Sequence, residues 1–89
     1  MFKHFDIKIF GLVQGIFFRV SAKEQADKLN LKGFAKNEKD GSVYIEAEGD
    51  KEKLDKFVSW CKEGSNLAKV EKVKITEGHL KNFSEFLIR

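Results

Sequence analysis

Phe5, Ile7 and Ile9 alternate with Asp6 and Lys8, a period of two that predicts a β-strand with one apolar face. The alternation is interrupted at Gly11-Leu12-Val13-Gln14-Gly15, where two glycines four positions apart predict a loop. From Phe18 the spacing becomes helical. Phe18, Ala22, Ala26 and Leu29 recur on one side, with Lys23, Glu24, Asp27 and Lys28 outside it. Asn30 tolerates a left-handed conformation and is the expected terminator. Ser21-Ala22-Lys23-Glu24 also fits a capping box, which would open the helix later without altering the strand-loop-helix order.

Gly33 to Asn37 predicts a second strand, and Asp40-Gly41 a hairpin turn into a third. In that third strand Val43, Ile45 and Ala47 alternate with Tyr44, Glu46 and Glu48 as far as Gly49. Asp50 is an N-cap candidate for a second helix striped by Leu54, Phe57, Val58 and Cys61 and closed by Gly64. After a loop at Ser65-Asn66, Leu67 to Glu77 predicts a lysine-rich strand, and Phe83 to Ile88 a short final one. The order is βαββαβ plus a C-terminal strand. The expected class is therefore α+β: a ferredoxin-like split βαβ sandwich with two helices on one face of a mainly antiparallel sheet.

Length sharpens this. For 89 residues, scaling gives roughly 5,300 Å² of surface folded against roughly 14,800 Å² unfolded, a thin core that predicts one domain over residues 1–89. Hydrophobic residues at 42% and charged ones at 35% describe a globular chain. The lone cysteine, Cys61, excludes an internal disulfide and a Cys-x-x-Cys pair, and predicts a reducing, cytoplasmic setting. No run approaches a membrane span, and the alternating N-terminus builds no signal-peptide core.

The net charge of +3 lies wholly in residues 1–45. Fifteen of the seventeen basic residues are lysine; only Arg19 and Arg89 carry the planar fork suited to phosphate and carboxylate. Arg19 closes the stretch Gly11-Leu12-Val13-Gln14-Gly15-Ile16-Phe17-Phe18-Arg19. Glycines here free the main chain for positive φ and leave N–H groups uncovered. Such a turn forms an anion-binding nest, and the helix N-terminus that follows adds free N–H groups. Nest plus arginine suits a phosphate dianion. It is neither a Walker loop, which needs G-x-x-x-x-G-K-[ST], nor G-x-G-x-x-G.

The same stretch resembles the acylphosphatase signature G-x-V-Q-G-[VI]-x-F-R, with every fixed position filled: Gly11, Val13, Gln14, Gly15, Ile16, Phe18 and Arg19. The resemblance extends downstream. Ala26 to Asn37 is similar to A-x-x-L-G-L-x-G-W-V-x-N, with Asn30, Phe34 and Ala35 replacing glycine, tryptophan and valine. Asp40-Gly41-Ser42-Val43, Ala47-Glu48-Gly49 and Phe86-Leu87-Ile88-Arg89 are similar to D-G-x-V, A-E-G and F-x-I-R.

The resemblance implies hydrolysis of acyl phosphates to a carboxylate and inorganic phosphate, with Arg19 and Asn37 as the catalytic residues. In that scheme the N–H groups of Gly15, Ile16, Phe17, Phe18 and Arg19 hold the phosphoryl oxygens. Asn37, on an adjacent strand, positions the water. Gly11, Val13 and Gln14 shape the loop, and Phe18 packs beneath it. Inorganic phosphate is expected as product and competing ligand, and no metal or cofactor is expected. Cys61 is expected to be an inert core thiol. His4 and His79, far apart and without an ordered carboxylate set, make a poor metal site. Lys36 is expected to be solvated, and Arg89 to pair with a carboxylate.

Two alternatives use the same fold: a noncatalytic phosphate- or ligand-binding module, and a nucleic-acid-binding module. Glu46 and Glu48, read as facing solvent, would repel a phosphate backbone, so no nucleic-acid partner is expected. Covered helix stripes and a charged surface predict a monomer. The sequence shows no recognition pocket for the acyl group, which suggests breadth.

Overall fold

The computed structural model describes residues 1–89. Its elements are β1 (Phe2–Leu12), α1 (Phe18–Lys28), β2 (Lys32–Asn37), β3 (Val43–Asp50), α2 (Lys51–Glu63), β4 (Lys69–Gly78) and β5 (Phe86–Ile88). The sheet order is β4-β1-β3-β2-β5, antiparallel except where β5 pairs with β2. This is the expected ferredoxin-like sandwich. One adjacency differs, because β3 lies between β1 and β2. Asn37 therefore reaches the loop after β1 from the end of a strand that does not touch β1.

Helix α1 opens at Phe18, not at the Ser21 capping box, and Asn30 takes φ 57 just beyond its end. Asp50 caps α2 by accepting from the Glu52 N–H at 3.0 Å, and Gly64 closes that helix. Strand β1 continues through Gly11 to Leu12 instead of stopping at the glycine. Its register against β4 shifts between Phe10 and Gly11, and a Cβ at Gly11 would run into the main-chain oxygen of Lys69. The glycine thus permits a bulge that turns the strand end into the loop. The final strand is shorter than expected, because residues 79–85 cross the open face of the sheet before β5 begins.

The core lies between the sheet and the helices. Phe5, Ile7 and Ile9 of β1 and Val43, Ile45 and Ala47 of β3 meet the two helix stripes. Ala22 and Ala26 let α1 lie close to the sheet. Phe18 packs on Trp60 at 5.3 Å between ring centroids, and Phe57 meets Phe86 at 6.2 Å. Accessible surface is 5458 Å², near the scaling expectation. No helix is long and apolar enough to cross a membrane.

The opposite sheet face corrects two expectations. Glu46 and Glu48 are buried beneath residues 79–85, not solvated. His4, also buried, has an ordered carboxylate set after all. Its Nδ1 lies 2.8 Å from Glu48, and its Nε2 lies 2.8 Å from Asp6 and 3.4 Å from Glu46. Both ring nitrogens thus lie within hydrogen-bond distance of a carboxylate. Lys81 Nζ donates to Glu46 at 2.7 Å, and the Phe83 N–H donates to Glu48 at 3.0 Å. Burial alone would raise both carboxyls. Hydrogen bonds from Lys81 and Tyr44 to Glu46, and from the Lys81 main chain, His4 and the Phe83 main chain to Glu48, outweigh it and hold both below the usual glutamate value.

Candidate active site

The loop after β1 and the first turn of α1 enclose one side of a cavity of about 210 Å³. Phe17, the N-cap of α1, sits at φ 60 and ψ 28, left-handed and without a side-chain cap. That conformation costs a bulky side chain roughly 1–2 kcal/mol. It also turns successive N–H groups in one direction, as a nest requires. The first helical hydrogen bond runs from the Ser21 N–H to the Phe17 carbonyl, and no N–H from Gly15 to Val20 donates to a protein acceptor. No acidic residue occupies the first turn to offset the helix dipole. Gly15, at φ 76, leaves open space where a Cβ would stand.

Arg19 lines the same cavity. One guanidinium nitrogen, Nη1, donates to the main-chain oxygen of Arg89 at 2.6 Å, which fixes the fork and leaves its other N–H groups free. Contrary to the expectation from sequence, the Arg89 side chain does not pair with a carboxylate. Its guanidinium lies 4.0 Å from the centroid of the Phe34 ring, a cation–π contact on β2. Asn37, the last residue of β2, is exposed in the cavity wall, and its side chain has no protein hydrogen-bond partner. Gln14 does not line the cavity. Its amide donates to the Glu38 and Ser42 carbonyls at 2.7 and 2.9 Å, tying the loop to the β2–β3 hairpin beside Asn37. Val13 and Phe18 are buried beneath the loop, and Ile16 packs against the core edge.

The cavity thus brings Val13, Gly15, Phe17, Phe18 and Arg19, from the loop and the first turn of α1, together with Asn37 from the end of β2. Val20 and Ile88 also line it and were missed from sequence. Their signal was faint: Val20 is an apolar residue off the buried stripe of α1, and Ile88 stands on an edge strand. Lys36 stands apart, its ammonium 5.7 Å from the Tyr44 ring centroid.

A family model described as acylphosphatase matches residues 5–88. The chain belongs to the acylphosphatase family. Its activity is accordingly the hydrolysis of acyl phosphates. An acylphosphatase from Ligilactobacillus salivarius is 40% identical over 87 residues, covering 97% of each chain. The crystal structure of acylphosphatase from Bacillus subtilis superposes with a TM-score of 0.95 at 39% identity, covering 100% of this chain and 99% of that one. An acylphosphatase structure from Coxiella burnetii gives 0.96 at 32% identity, covering 99% and 93%. These relatives match nearly end to end.

Burial pushes the thiol of Cys61, on the α2 stripe, well above its usual value, so it holds its proton and offers no nucleophile.

Proposed function

We propose that acyl phosphate hydrolysis in this chain runs by in-line attack of water on phosphorus. The main-chain N–H groups from Gly15 to Arg19 hold the phosphoryl oxygens, Arg19 grips them in two-point fashion, and Asn37 orients the water. The observation that supports this most is the meeting, in one small cavity, of unpartnered N–H groups, a braced guanidinium and an unpartnered carboxamide.

The chemistry asks for little more. A carboxylate with a conjugate-acid pKa of ~4–5 leaves without a general acid. What remains is positioning and stabilisation of charge on the phosphoryl oxygens. The P–O bond to the carboxylate breaks as the new P–O bond to water forms. A neutral amide is a poor base, so the water proton passes to a phosphoryl oxygen.

The test is kinetic. With acetyl phosphate, Arg19→Ala loses both affinity and rate, whereas Asn37→Ala loses mainly kcat, each by a factor of about 100 or more. Inorganic phosphate competes with substrate in the wild type and much more weakly in Arg19→Ala. Equal turnover in wild type and Arg19→Ala would end this assignment. Full activity of Asn37→Asp at neutral pH would remove the water-positioning role.

A further inference from the structure

Residues 79–85 seal one half of the open sheet face and leave the half nearest the β2–β3 hairpin uncovered. The strand register lays out what that half displays. Lys74, Lys8, Tyr44 and Lys36 stand opposite one another in a single row across β4, β1, β3 and β2. In the next row Lys72 stands opposite Phe10. Both rings, Phe10 of β1 and Tyr44 of β3, lie on inner strands and are only half-buried.

Packing supplies few partners for these ammonium groups. Like charges directly opposite on paired strands are destabilising, and Lys8 and Lys74 are so placed. Of the four lysines only Lys8 meets a carboxylate, Asp40 at 3.1 Å. The Lys8 and Lys72 ammonium groups both converge on Phe10, 5.4 and 5.5 Å from its ring centroid, and Lys36 lies 5.7 Å from that of Tyr44. The sealed half differs, because there Glu46 and Glu48 are matched by Lys81 and His4. Their burial also removes the ground for expecting no nucleic-acid partner, since neither carboxylate faces outward to repel a phosphate backbone. Asp6, at the border between the halves, lies within hydrogen-bond distance of His4. A recess of about 270 Å³ among Asp6, Lys8, Tyr44, Lys74 and Thr76 gives the uncovered half its depth.

We infer that this half of the sheet face binds single-stranded nucleic acid, with Lys8, Lys36, Lys72 and Lys74 contacting phosphates and Phe10 and Tyr44 offering their rings to bases. Lysines alone would suit any polyanion. Ring faces set among them on inner strands select a strand whose bases are unpaired, because a duplex keeps its bases stacked on one another. Each lysine is a point charge without a planar fork, and stacking accepts every base, so binding is tolerant of sequence. None of these six residues lines the phosphate cavity, and the inference stands independently of the mechanism above.

The experiment is fluorescence anisotropy with a labelled oligothymidylate of about 12 nucleotides, which has no structure of its own to compete. The wild type is expected to bind with a Kd of roughly 1–100 μM, and log Kd to rise against log salt with a slope of roughly 3 for four phosphate contacts. Lys72→Gln/Lys74→Gln weakens binding and lowers that slope by about 1.4. Phe10→Leu, which keeps the apolar bulk, weakens binding about 10-fold and leaves the slope in place. Tyr44→Leu repeats the aromatic test should Phe10→Leu fail to fold. A duplex of the same length binds several-fold more weakly, and acetyl phosphate turnover is unchanged in the lysine variant. No binding at low salt, or equal affinity for duplex and single strand, overturns the proposal. So does undiminished binding in the ring variants, or equally tight binding to phosphatidylglycerol vesicles, either of which describes a plain cationic surface. Binding lost in Arg19→Ala and kept in Lys72→Gln/Lys74→Gln places the strand on the phosphate cradle and overturns it too.

Discussion

The side-chain amide of Gln14 donates to the carbonyl oxygen of Glu38 at 2.7 Å, one residue beyond Asn37. A second bond from the same nitrogen reaches the Ser42 carbonyl. The loop after β1 and the tip of the β2–β3 hairpin are thereby held at a fixed separation, although β3 lies between their strands. Gln14→Ala removes both bonds and lowers stability by about 1–2 kcal/mol. Gln14→Glu faces carboxylate oxygens to carbonyl oxygens and is worse. In both, kcat falls by about 10- to 100-fold, more than phosphate inhibition changes. Steady-state kinetics with acetyl phosphate and urea unfolding check the pair of effects.

The two loop glycines separate folding from binding. Gly11→Ala pushes a methyl group into the Lys69 main chain, which must move, so stability falls by roughly 2–4 kcal/mol. Gly15→Ala meets no atom within 4 Å and suffers only its positive φ, about 1 kcal/mol. Its methyl group, however, intrudes on the cavity that Gly15 lines, so phosphate inhibition weakens about 10-fold or more. Thermal unfolding paired with phosphate inhibition distinguishes the two variants.

Acid should loosen the segment over the open sheet face. Glu46 and Glu48 have native values below the 4.5 of an unperturbed glutamate. The unfolded chain therefore binds more protons in this window, and stability falls as pH falls. Their contribution is fully present above pH 4.5 and is lost as pH drops through the depressed native values. Glu48→Ala, which leaves His4 Nδ1 and the Phe83 N–H without their partner, should cost about 1–3 kcal/mol at neutral pH. It should also flatten this acid limb. Urea midpoints measured from pH 3 to 7 test both.

Cys61 gives a simple readout of native packing. Its thiol is buried and its pKa raised, so a disulfide reagent at pH 8 should label unfolded protein quickly and native protein only through global opening. Fast labelling of the native state would contradict the α2 packing described.

The order of elements was legible because each announces itself locally. Alternation in β1 and β3, the Asp50 cap and the Asn30 terminator are short-range signals with short-range causes. The phosphate loop was legible for the same reason, its glycines and arginine lying within nine residues. What the sequence concealed depends on distant segments. Glu46 and Glu48 occupy the polar phase of an alternating strand, which ordinarily means solvent. Only the return of residues 79–85 across that face buries them, and their partner His4 lies on another strand. Val20 and Ile88 were silent because their shared surroundings exist only when α1 and β5 meet. Arg89 was expected to seek a carboxylate, but the Phe34 ring beside it on the neighbouring strand offered a nearer partner.

The bond between Arg19 and the Arg89 main chain spans a sequence separation of 70. Contacts of such long separation close late, since loop-closure entropy opposes them until intervening structure has formed. The fork of Arg19 is therefore braced only once β5 has docked beside β2. A chain with its first hairpin and both helices in place, but its last strand free, would possess the loop and lack the aimed guanidinium. In refolding from urea, hydrolytic activity should therefore never precede recovery of the far-ultraviolet signal, making turnover a readout of complete assembly.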